Sequence, residues 1–185
     1  MPIDTAGRAD AAPDEHGLLP AELFGRIVAH APLVAIDLIV QNAQRCLLLG
    51  WRRNPPARGY WFVPGGRVRK NESLADAFAR ISAAELGTEF QLEQSIFMGV
   101  YQHFYPDNFL GEARASTHYI TLAHKVRATD APLSLPDKQH SRYRWASASD
   151  IQHDLLVHPY ARAYFRSGVA GSGISRHAVM AGGNA

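Results

Sequence analysis

The stretch VPGGRVRKNESLADAFARISAAELGTE, residues 63–89, constrains this chain more than any other. Pro64, Gly65 and Gly66 end an extended segment and allow a sharp turn, at which a ligand or metal ion could approach main-chain carbonyls closely. Asn71 or Ser73 can cap the helix that follows, and Gly87 stops it just after Leu86. Leu74, Ala77, Phe78 and Ile81 recur at helical spacing, which predicts an inward apolar stripe. Glu85 continues that stripe four residues beyond Ile81. A carboxylate on a buried face needs a partner, and an arginine or a metal ion would serve. Glu72 and Arg80 lie within reach of one another across the loop and helix, so a structural ion pair between them is one reading, compatible with a functional role for Arg80.

The flanking segments supply a sheet. LVAIDLIV, residues 33–40, is apolar on both alternating faces, as expected of a central strand covered on both sides. QNAQ turns into RCLLLGW, an expected antiparallel partner, and GYWFV makes a third short strand. QSIFMGVYQHFY and STHYITLAHKV read as two long strands joined by the polar loop PDNFLGEARA. LPDKQHSRYRWAS reads as a loop entering a strand, while LPAELFGRIVAHA, ASDIQHDL and HPYARAYFRS read as helices. Strands interleaved with few helices predict a mixed sheet between helical layers.

The chain has 185 residues, 46% of them hydrophobic, enough for one domain with a core. Residues 1–17 and 168–185 are poor in large apolar groups and are expected to be flexible tails around a domain at 18–167. The single cysteine, Cys46, cannot form an internal disulfide or a thiolate metal site, and its apolar surroundings suggest a core thiol. A net charge of +2 gives no case for nucleic-acid binding. No apolar run approaches the roughly 20 residues that span a bilayer, and no leader of signal type is present, so a soluble cytoplasmic protein is the expectation.

Gly66, Glu72, Arg80, Glu85 and Gly87 stand at the spacing of the Nudix box. The usual box carries further glutamates where this chain has Ile81 and Ala84. Carboxylates on consecutive helical turns hold clusters of divalent ions around a diphosphate, so their loss argues against a cluster of several ions. The box, GYWFVPGGRV, QHFYPDNF, THY and PDKQHSRYRW together resemble the GDP-mannose mannosyl hydrolases, a Nudix subfamily, over residues 18–165.

That resemblance implies an α/β/α Nudix sandwich with a mixed β-sheet. It implies hydrolysis of GDP-mannose, with GDP-glucose the other sugar nucleotide considered, to GDP and free sugar. Water would attack the anomeric carbon with inversion. One Mg²⁺ would be held by the Gly65 carbonyl, Glu85 and Gln139, and His140 would be the general base. On chemistry alone, His140 and His103 are equal candidates for that base. Arg52, Arg67 and Arg80 match functional arginines, suited to the charge that develops on a departing diphosphate. Asp37, costly to bury within LVAIDLIV, would pair with an arginine or orient the sugar or base. Tyr119 joins the catalytic set, and His103 and Tyr105 suit a sugar ring with its apolar face and hydroxyl edge. Without the resemblance, Tyr105 and Tyr119 read as core or rim residues. Leu18, Leu19 and Phe24 match a nucleotide-binding stretch, though the same residues could staple a helix to the core. A homodimer is implied as well. The alternatives are an ordinary Nudix pyrophosphohydrolase attacking phosphorus, and a silent nucleotide-sugar binding module.

Overall fold

The computed structural model describes residues 18–111, 115–128, 133–137 and 140–165; the tails expected at either end lie outside them. The elements run α1 (Ala21–His30), β1 (Leu33–Gln41), β2 (Leu47–Arg52), β3 (Trp61–Phe62), β4 (Gly65–Arg67) and α2 (Leu74–Leu86). After a 3₁₀ turn at Leu92–Gln94 come β5 (Ile96–Tyr105), β6 (Thr117–Arg127), β7 (His140–Ala146), α3 (Ala148–His153) and α4 (Pro159–Ala163).

Strand β1 is the axis of the sheet. It runs parallel to β6 from Leu33 opposite Tyr119 to Gln41 opposite Arg127. Its other edge pairs antiparallel with β4, where Asp37 faces Gly65, and meets β2 at Gln41 and Leu47. β5 closes one side, antiparallel to β6, and β2 carries β3 and β7 on the other. The sheet is therefore mixed, as expected.

Alternation along β1 divides the core. Ile36, Leu38 and Val40 face α2 and pack with Phe78, Ile81 and Leu86. Ile39 faces the opposite layer, with Phe62, Tyr101, Ile151 from α3 and Tyr164 just after α4. Asp37 shares the parity of Ile39, so it points toward α4.

Several sequence expectations are corrected. The Gly65–Gly66 segment does not merely turn; it forms β4 and occupies the edge of β1. That displaces β2, which pairs with β1 at one position and forms its ladders with β3 and β7. Ser73, not Asn71, caps α2: its hydroxyl accepts from Asp76 N at 3.1 Å. Asn71 has φ 63° and belongs to the preceding turn. Gly87, with φ 67°, ends the helix in the left-handed conformation that glycine adopts without strain. Leu74 is exposed because the first helical turn overhangs the core, and Cys46 is half-buried at a turn rather than in the core. Tyr160 pins α4 to β5: its hydroxyl donates to Phe104 O and accepts from Phe104 N, both at 2.9 Å. No helix among the described residues is long and apolar enough to cross a membrane.

Candidate active site

The register of β1 against β4 creates the site. Leu38 N donates to Pro64 O at 2.8 Å, and Val68 N to Val34 O at 2.9 Å. Antiparallel ladders bond at alternate residues, so Pro64 and Val68 face β1 while Gly65 and Arg67 turn their backbone groups outward. The Gly65 carbonyl is thereby turned away from the ladder. A side chain at Gly65 would stand 2.6 Å from Asp37 Oδ1 and 2.7 Å from Ile36 O, so glycine is required by close approach.

A cavity opens beside this pair, lined by Asp37, Arg52, Gly65, Arg67, His103, Tyr105 and Tyr119. Asp37 is buried and accepts a 2.5 Å hydrogen bond from the Tyr164 hydroxyl. Burial pushes its pKa up to about 7, against the opposing effects of that hydrogen bond and the Arg52 charge. Burial also drives the Tyr105 and Tyr119 phenols above their ordinary range.

Leu18, Leu19 and Phe24 come together in a second cavity, with Phe109 and Pro55. Arg52, Arg67 and Tyr119 line both spaces and join them. The Arg67 guanidinium lies 3.6 Å over the Phe24 ring, a contact that holds it against the apolar wall. Burial lowers the Arg67 pKa. An arginine-lined space between a polar cavity and an aromatic one can take a diphosphate with different groups at its two ends.

Glu85, His140 and Arg80 are not among the residues that line these two cavities. Glu85 Oε2 is 3.7 Å from His140 Nδ1. Burial raises the Glu85 pKa to about 7, with Arg52 opposing, and burial then Arg52 lowers that of His140 to about 4. The His140 ring lies on the Gly50 backbone, where an added Cβ would stand 2.4 Å from ring carbons. Its Nε2 is buried with no hydrogen-bond partner among the described residues.

Arg80 takes the structural place allowed for it. It donates to both Glu72 oxygens, at 2.5 and 2.8 Å, and to Arg67 O at 2.9 Å. The hydrogen bond from Arg80 holds the Glu72 carboxyl below its ordinary pKa. This clamp fixes the loop that carries Arg67. Glu72 is thus committed to an arginine, Ile81 packs against Gly66, and Ala84 is exposed.

His103 is engaged on both ring nitrogens, by Thr121 Oγ1 at 3.3 Å and the Tyr164 hydroxyl at 3.2 Å. Tyr160 stacks on it at 4.3 Å. Burial lowers its pKa to about 3, so the ring is neutral and offers the cavity its surface rather than a free nitrogen.

The donors suit a hard divalent ion. The buried Glu85 carboxylate, whose charged form burial disfavours, and the Gly65 carbonyl turned out of its ladder are both hard oxygen donors. Among the described residues no three His, Cys, Asp or Glu side chains gather into a metal cluster. Gln139 lies outside the described residues.

Three partners of the site were not apparent from the sequence. Phe109 sits in a loop read only as polar, and its ring reaches within 4.8 Å of Phe24. Tyr160 and Tyr164 repeat at helical spacing in HPYARAYFRS, which was a signal for a shared face but not for a site.

The sequence model of the NUDIX domain matches residues 31–166. The low-salt glycan biosynthesis protein Agl8 of Haloferax volcanii is 39% identical over 146 residues, covering 79% of this chain and 88% of that protein. The MutT protein of Methanosarcina mazei Go1 has a similar structure, with TM-score 0.59 and 21% identity over 74% of this chain and 92% of that one. The MutT NUDIX hydrolase of Burkholderia pseudomallei gives TM-score 0.58 and 23% identity, over 74% and 97% of the respective chains. At such identities the structural likeness speaks for the fold alone.

Proposed function

The chain belongs to the NUDIX hydrolase family, and from that premise we propose that it hydrolyses GDP-mannose, or the closely related GDP-glucose, to GDP and the free sugar. The observation that carries this reading is the occupancy of the box helix. Ile81 fills the site-facing turn with hydrocarbon against Gly66, Ala84 points to solvent, and Glu72 is held by Arg80. Glu85 is left as the inward carboxylate of α2. Phosphorus attack through several ions is poorly served by this set. Departure of a diphosphate is well served by Arg52 and Arg67 on the cavity wall. Agl8 is a glycan biosynthesis protein, which is in keeping with a sugar-nucleotide substrate.

In this reading a water oxygen bonds to the anomeric carbon as the bond from that carbon to the β-phosphate oxygen breaks. The electron pair leaves with GDP, and the proton of the attacking water passes to His140. Burial keeps His140 neutral, which is the proton-accepting form. Asp37, Tyr105 and the His103 face hold the sugar, and Tyr119 stands at its junction with the diphosphate. Phe24, Leu18 and Leu19 lie along the nucleotide. The Gly65 carbonyl, Glu85 and Gln139 would hold one Mg²⁺, which supplies charge neutralisation for the diphosphate. We also propose that the protein works as a homodimer.

Hydrolysis in ¹⁸O water tests the mechanism. Label in the sugar supports it. Label in a phosphate product, with GMP and sugar 1-phosphate formed, assigns ordinary pyrophosphohydrolysis instead. Saturable GDP-mannose binding without turnover assigns a binding module.

A further inference from the structure

We infer that Tyr164 is a positioning residue for the sugar end of the site, its hydroxyl joining Asp37 and His103 into one ordered relay that presents Asp37 Oδ1 to the ligand. The identity of the ligand rests on the proposed function; the relay is a property of the free protein.

Four polar groups from four elements meet in the buried layer between the sheet and α4. Thr121 on β6 contacts His103 Nδ1 at 3.3 Å, and His103 Nε2 on β5 contacts the Tyr164 hydroxyl at 3.2 Å. The Tyr164 hydroxyl reaches Asp37 Oδ2 on β1 at 2.5 Å. All four side chains are less than a tenth exposed. With Asp37 ionised, only one proton order satisfies the chain. Tyr164 has a single proton, and the short contact assigns it to Asp37. Its oxygen must then accept from His103 Nε2–H. A neutral imidazole carries one N–H, so His103 Nδ1 is the acceptor and the Thr121 hydroxyl donates to it. Each donor is thereby used once and no buried polar atom of the relay is left over.

The relay has a direction. It consumes Asp37 Oδ2 and leaves Oδ1 on the Gly65 side, where the missing glycine side chain leaves space along the cavity wall. Rotation of the carboxylate about its last torsion, otherwise soft, would break the Tyr164 bond. Stacking by Tyr160 holds the His103 ring from the other side, and Tyr101 meets the Tyr164 ring edge-on at 4.7 Å. Tyr164 touches no ligand space itself; it acts through Asp37 and His103.

Two measurements decide the matter. In ¹⁵N-histidine-labelled full-length protein at about pH 8.5, where Asp37, with its pKa at about 7, is ionised, and with the His103→Phe variant to assign the signal, His103 is expected as the neutral Nε2–H tautomer. An Nδ1–H or charged ring overturns the relay, whatever the substrate proves to be. With GDP-mannose, Tyr164→Phe keeps the ring and removes the proton. Loss of a hydrogen bond to a carboxylate should lower kcat by about 10- to 100-fold, with KM nearly unchanged. In an Asp37→Asn background the same change should lower kcat less than about 2-fold, since its route of action is already gone. Equal losses in both backgrounds would make Tyr164 a packing residue only. Should the wild type fail to turn over GDP-mannose, the proposed function falls and the His103 tautomer still decides the relay.

Discussion

Glu85 Oε2 and His140 Nδ1 are 3.7 Å apart, both buried, and at neutral pH they are not an ion pair. Proximity suggests a salt bridge, but burial outweighs it for both partners. The Glu85 pKa rises to about 7 and that of His140 falls to about 4, so the histidine is neutral where the carboxylate begins to ionise. The pocket behind Gly50 is therefore one where added positive charge has a large effect.

Mg²⁺ should raise the melting temperature more at pH 8 than at pH 6. In the proposed metal site only ionised Glu85 would bind the ion, and ionisation is half complete at about pH 7. Glu85→Gln should abolish the response at both values. Thermal scans with and without Mg²⁺ check this, and an unchanged response in the variant would remove Glu85 from the metal site.

The metal-free protein should gain stability from about pH 5 to 6.5 and change little from there to pH 8. His103 and His158 resemble His140 in having depressed pKa values, at about 3 and 4 respectively. The unfolded chain binds more protons at these positions between those values and 6.5, so their contribution to stability rises with pH. Asp37 and Glu85 act oppositely: the folded chain binds more protons at them up to about pH 7, so stability is lost as pH rises through that value. Burial lowers the His124 pKa as well, so four histidines outnumber the two carboxylates below about pH 6.5; near pH 7 the two sets offset one another, and above it both have finished. Urea midpoints from pH 5 to 8 in EDTA should show the rise and then a plateau. Asp37→Asn, which removes one opposing carboxylate, should steepen the rise.

Ile81→Glu restores a carboxylate to the box but should not restore phosphorus chemistry. The side chain would enter a core position 1% exposed, against Gly66 and within the Phe78 cluster. An unpaired charge buried there should cost about 3–5 kcal/mol. Denaturant midpoints measure the loss, and ³¹P spectra of the products should show no GMP.

Gly50→Ala tests the seat of the His140 ring. The added methyl would meet ring carbons at 2.4 Å, so the imidazole must move. Displacement by about 1 Å lowers turnover by about 100-fold where geometry matters. Kinetics beside a far-ultraviolet spectrum separate this from loss of fold.

Much of the architecture was legible because it is written in side-chain periodicity. The capped helix ending at Gly87, the doubly buried β1 and the long β5 and β6 all announce themselves by spacing. β4 does not, because Gly65 and Gly66 have no side chains to alternate, and its pairing is a backbone event. Asp37 stood out as a charge in apolar company, while the arginines were singled out by the resemblance of their motifs. Their meeting place depended on the β1 register, which no local pattern encodes. Tyr164 was hidden for the opposite reason: its sequence neighbours describe an ordinary amphipathic helix, and its partners lie on two distant strands, β1 and β5.

The paired bonds of Tyr160 to Phe104 reach beyond catalysis. β5 is the outer strand of its side of the sheet, and it contains no charged residue to discourage another strand from docking. One phenol occupies both the donor and the acceptor that Phe104 would offer a newcomer, while its ring stacks on His103. Detachment of α4 would uncover an adhesive margin and slacken the His103 side of the cavity wall in the same event. For this protein, loss of turnover and onset of self-association should therefore arrive together on storage or mild heating.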